Sequence, residues 1–162
     1  MRILPVALLG VSAIALLAQR PTTAAADAPW TPDELIRPVD LARHLARVRQ
    51  PSAHLDFGVE IIQVGYQKLY DVKHIPGSVY AGPAAHDLEP LKKAVAGIPR
   101  DHQILLYCGC CPWDHCPNLK PAFSLLKSLG YTKIVVLEIP KSFGTDWVAA
   151  GYPVESSIKT GK

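Results

Sequence analysis

The stretch Ile104-Leu105-Leu106-Tyr107-Cys108-Gly109-Cys110-Cys111-Pro112-Trp113-Asp114-His115-Cys116 carries all four cysteines of a 162-residue chain, and the rest is read outward from it. Ile104–Tyr107 is a short run without a charge, the pattern of a strand covered on both faces. Cys108 follows directly. The loop then runs to Asn118, a candidate cap for a helix in which Leu119, Ala122, Phe123, Leu126 and Leu129 recur at helical spacing and Gly130 closes the end. A strand, loop and helix in this order put the loop at the carboxyl end of a strand and before a helix N-terminus, where open α/β sheets hold their ligands.

Two more apolar runs, Val59–Val64 and Ile134–Leu137, also read as strands. Helical patterns lie before, between and after them. Asp40 is expected to cap a helix through Leu41, Leu45 and Val48. Asp87 is expected to cap one through Leu88, Leu91, Val95 and Ile98, with Pro90 tolerated in the first turn. A last helix is expected near Ser142–Ala150, ended by Gly151 and Pro153. Alternating strands and helices imply right-handed crossovers and an α/β fold, with a central, mainly parallel sheet and helices on both faces.

Residues 1–26 are set apart. Arg2, the apolar run Ile3–Ala18 and the small residues Thr22–Ala26 form the charged, apolar and small zones of a secretory signal, with cleavage expected after Ala26. The apolar run is short for a membrane span. Residues 27–162 then suit one domain, exported to the periplasm or secreted, with no membrane attachment after signal removal. Of 17 Lys and Arg, Arg2 and Arg20 fall in the leader, so the remainder nearly balances 14 Asp and Glu. Such a balance gives no sign of a nucleic-acid partner.

Outside the cytoplasm thiols tend to oxidise, so the cysteines need a reason. A cysteine at a strand end facing a helix N-terminus is expected to have a lowered pKa and to act as a nucleophile. Cys108 is that candidate; its plainer reading is a buried structural residue, which three further cysteines in the same loop weaken. Cys108 and Cys111 form a C-x-x-C pair, and a second cysteine near a persulfide can resolve it to a disulfide. One arrangement is a Cys111–Cys116 bond holding the loop with Cys110 free to resolve, although four cysteines allow three connectivities. His115 divides evenly between an ordinary loop residue and a cation supporting a thiolate. Trp113 reads as a lid over the loop. The competing use is a copper- or zinc-binding module: soft thiolates suit both metals, but adjacent Cys110 and Cys111 sit poorly on two corners of a tetrahedral zinc site.

Four segments in order resemble the rhodanese-like sulfurtransferases: His74-Ile75-Pro76-Gly77-Ser78, Leu106-Tyr107-Cys108, Leu129-Gly130-Tyr131 with Val135-Val136-Leu137, and Trp147-Val148-Ala149-Ala150-Gly151-Tyr152-Pro153-Val154. They span most of Asp40–Glu155. The resemblance implies a rhodanese-like fold for residues 27–162. It also implies that Cys108 is the catalytic nucleophile, moving sulfane sulfur as a persulfide between a small sulfur donor and a thiol acceptor, with no cofactor required. Gly109, Cys110, Cys111, His115 and Cys116 would form the binding or resolving loop. It further makes His74 part of a structural turn, and Trp147 and Phe123 read as core. Three departures stand out. The loop is long and has Asp114 where the family pattern has a basic residue; Gln63-Val64-Gly65 replaces an acid-x-arginine; and the gap from Leu137 to Trp147 is extended. These leave a thiol–disulfide module, a metal-binding module and a non-catalytic interaction domain as alternatives.

Overall fold

The computed structural model describes residues 28–48 and 58–158, so the expected leader and its expected cleavage site lie outside the described residues. Five strands form the sheet: β1 (Leu35–Ile36), β2 (Val59–Gln63), β3 (Val79–Tyr80), β4 (Gln103–Tyr107) and β5 (Lys133–Leu137). Their order is β1-β5-β4-β2-β3, and every neighbouring pair is parallel. The helices are α1 (Pro38–Val48), α2 (Gln67–Val72), α3 (Glu89–Val95) and α4 (Leu119–Ser128). Among the described residues no helix is long and apolar enough to cross a membrane.

Side chains alternate across a strand, so the sheet builds two cores. Ile62, Ile104, Leu106, Ile134 and Val136 point to the side of α3 and α4, against Leu91, Val95, Ala122, Phe123 and Leu126. Ile61, Leu105, Tyr107 and Leu137 point to the side of α1, against Leu41, Leu45 and Trp147. Every residue from Ile104 to Tyr107 is at most 1% exposed, as the apolar run predicts for a central strand. Trp147 and Phe123 are fully buried. Each such large side chain contributes about 1.5–3 kcal/mol of burial.

The caps differ from expectation. α1 opens at Pro38, and Asp40 lies inside its first turn, where its carboxylate pairs with Arg37 at 2.7 Å and Arg43 at 3.3 Å. Asp87 does accept a backbone N–H, from Glu89 at 2.9 Å, but α3 ends at Val95, short of Ile98. Asn118 occupies the cap position of α4 without capping it through its side chain. The final helix is a wide π-type turn, Gly144–Val148, and Gly151 leaves it at φ +75°. β1, β3 and α2 were not anticipated. Each edge strand has two residues, too few for a periodic signal.

His74 is structural, as expected. It is buried, its ring stacks on Tyr70 at 4.0 Å, and its backbone exchanges two 2.9 Å hydrogen bonds with Glu155.

Candidate functional site

Strand alternation continues one residue past β4. Cys108 therefore falls on the same face as Ile104 and Leu106, in the core shared with α3 and α4, and is 2% exposed. The loop folds back over that sulfur. A 3₁₀ turn at Trp113–His115 returns the chain so that Cys116, also buried, reaches Cys108 from the far end. The Sγ atoms of Cys108, Cys110, Cys111 and Cys116 all lie within 4.8 Å of one another. Cys108 and Cys110 are 3.3 Å apart and Cys110 and Cys111 3.2 Å apart, while Cys116 Sγ lies within 4.8 Å of all three. All four are free thiols; the Cys111–Cys116 disulfide expected as one arrangement is not formed.

Other residues hold the loop in this shape. The Trp113 N–H donates to the Ile139 carbonyl at 3.0 Å, and the Phe143 N–H to the Gly109 carbonyl at 3.4 Å. Both partners come from the extended gap after β5, whose added length thus braces the cysteine loop. The Trp113 ring packs on buried Trp30 at 5.9 Å, in keeping with a lid. Sequence reasoning missed Trp30, Gly65 and the role of Asn118. A Cβ on Gly65 would stand 2.9 Å from Cys108 Sγ and 3.1 Å from Gln63 Nε2, so glycine in the Gln63-Val64-Gly65 segment leaves room for the sulfur. The Asn118 amide bridges two elements: its oxygen accepts the Ala85 N–H at 3.0 Å and its nitrogen faces Cys108 Sγ at 3.8 Å.

The expected low-pKa thiol is not what the geometry gives. Hydrogen bonding with Cys116, then burial, pushes the Cys108 thiol well above its ordinary value, against a smaller pull from the Cys110 N–H. Burial also raises Cys110, and burial with the Cys110 contact raises Cys111 to about 12. The expectation failed because it weighed the helix terminus and ignored the direction of the side chain, which points into the core. The His115 ring is exposed and sits 2.8 Å from the Asp114 carboxylate. An apolar cavity of about 310 Å³ opens on the α1 side of the sheet, lined by Gln63, Leu69, Val72, Tyr107, Gly109 and Phe143. It meets the loop at Gly109 and not at a sulfur.

An all-parallel five-stranded sheet with the cysteine loop at the end of its central strand has relatives among solved structures. A rhodanese-like domain from Anabaena sp superposes with TM-score 0.55 at 20% identity, covering 80% of this chain and 83% of that one. The chain has the rhodanese-like fold. A rhodanese-related protein from Thermoplasma volcanium has TM-score 0.50 at 19% identity, with 75% and 97% of the two chains covered. Thiosulfate sulfurtransferase from Pseudomonas aeruginosa has TM-score 0.52 at 23% identity over 76% of this chain and 19% of that larger one. No family model matches the chain, and no curated protein matches it. In this rhodanese-like fold the loop after β4 is where Cys108 was expected, and the structure adds three more thiols around it.

Proposed function

We propose that this rhodanese-fold protein moves sulfane sulfur through its four-thiol loop, with Cys108 carrying the persulfide. The observation that supports it most is the placement of one sulfur at the end of the central strand with three more thiols within 4.8 Å. The Cys108 thiolate attacks the outer sulfur of a sulfane donor. The donor S–S bond breaks, its leaving group departs with the electron pair, and Cys108 keeps the sulfur as a persulfide. An acceptor thiol then attacks the outer sulfur and leaves as the new persulfide, returning Cys108.

The 3.3 Å approach of Cys110 supports a second exit. Attack of that thiol on Cys108 Sγ forms a Cys108–Cys110 disulfide and expels hydrosulfide, which takes the thiol proton; a dithiol reductant then restores both cysteines. Half-buried Cys110 and Cys111 face the solvent side of the cluster, so small donors reach it there. The largest influences on the raised thiols are burial and one another, with no lysine or arginine among them. That environment suits an uncharged or weakly charged polysulfide better than thiosulfate. No cofactor is needed for either exit, and the exported location read from the leader supplies the oxidised sulfur compounds.

In a transfer assay with a polysulfide donor and a small thiol acceptor, Cys108→Ser should lose turnover and Cys111→Ser should keep a measurable part of it. Equal turnover in Cys108→Ser and the parent protein would end the proposal.

A further inference from the structure

The arrangement of the four sulfurs meets the demands of a metal ion as well as those of sulfur transfer. In a closed four-thiolate zinc site each Zn–S bond is about 2.3 Å, which sets the sulfurs of a regular tetrahedron roughly 3.8 Å apart. Here the close pairs are at 3.2 and 3.3 Å and no pair exceeds 4.8 Å, so the observed spacings bracket that value. The sequence objection was that adjacent Cys110 and Cys111 sit poorly on two corners of a tetrahedral site. The structure removes it, because those two side chains converge on the same point as Cys108 and Cys116.

The surroundings also fit. Cys108 and Cys116 are fixed in the core while Cys110 and Cys111 are half-buried, so an ion can enter from solvent and be closed in by the two inner sulfurs. The Cys110 N–H and the Asn118 amide both face Cys108 Sγ, and such donors offset the excess negative charge of a thiolate set. Asn118 is itself anchored by the Ala85 N–H. Oxygen and imidazole donors are absent from the group, which selects thiophilic cations over calcium or magnesium.

We infer that Cys108, Cys110, Cys111 and Cys116 form a tetrathiolate site for a single thiophilic d¹⁰ cation, Zn²⁺ before Cu⁺. Binding exchanges four thiol protons for one Zn²⁺, with no change of oxidation state. The inference does not rest on sulfur transfer. It adds regulation to it, because a metal-filled cluster has no free thiol for a donor and a sulfur-loaded cluster lacks a ligand.

The test is anaerobic titration of the reduced full chain with Zn²⁺ against a chromophoric chelator, with Co²⁺ as the spectroscopic probe. One ion per chain, thiolate-to-cobalt charge-transfer bands and proton release on binding are expected. Cys110→Ser and Cys111→Ser, at half-buried positions, should each weaken Zn²⁺ by roughly tenfold or more, with circular dichroism showing an unchanged fold. Tight one-to-one Cu⁺ in place of Zn²⁺ keeps the site and changes its ion. Absence of stoichiometric binding by both ions, or equal affinity in the serine variants, overturns the inference. Sulfur gain by the metal-free protein is read separately by mass, so either idea can fail alone.

Discussion

Cys108 owes its behaviour to parity. It stands two residues after Leu106 on a strand whose side chains alternate, so it faces the α3–α4 core and not solvent. Its thiol is accordingly hard to ionise, held up by Cys116 and by burial. Below a raised pKa the thiolate fraction rises about tenfold per pH unit. The rate of sulfur loading should therefore keep climbing from neutral pH into the alkaline range, when followed by stopped reactions at fixed donor concentration. A plateau already at neutral pH would mean a low-pKa nucleophile and contradict this. The position of Cys108 at the end of the central strand was legible in the sequence, because Tyr107-Cys108 ends an apolar run. Its burial was legible too, from the spacing to Leu106, but the helix N-terminus was given the greater weight. His115 was not legible, since nothing in the sequence says that its ring turns to Asp114.

At the scale of elements, α4 is tied to the loop before α3 by one side chain. Asn118 was expected to cap its own helix; it satisfies the Ala85 N–H and faces Cys108 in place of that. Asn118→Ala leaves the part-buried Ala85 N–H without its acceptor and should cost about 1 kcal/mol in a denaturant titration. A loss below roughly 0.5 kcal/mol, as for an ordinary surface change, would show that the bridge is not needed. The strands β2, β4 and β5 and the stripe of α4 were readable because five to ten residues repeat a pattern. β1 and β3 were not, because two-residue edge strands exist only through their partners β5 and β2. The bracing of the cysteine loop by Ile139 and Phe143 was equally hidden, because it joins backbone groups far apart in sequence.

The whole molecule encloses ionisable sulfur in its larger core, which couples fold stability to pH. A thiol whose folded pKa lies above its unfolded value, about 8.5, stabilises the fold fully below that value and loses the contribution as pH rises toward the folded pKa. Cys108, Cys110 and Cys111 all shift in this direction. The reduced protein should therefore unfold more easily at pH 10 than at pH 7, by a margin that shrinks in Cys108→Ser; equal loss in parent and variant would assign the effect elsewhere. The architecture as a whole followed from strands alternating with helices, whereas the convergence of four sulfurs depends on a loop fold that spacing alone does not fix. That convergence is given its most direct test by intact-mass measurement of the reduced, metal-free protein after brief exposure to a polysulfide. A gain of one sulfur, or a loss of two hydrogens once Cys110 has displaced that sulfur, is expected in the parent and neither in Cys108→Ser. Unchanged mass in both proteins, or the same gain in both, would contradict it.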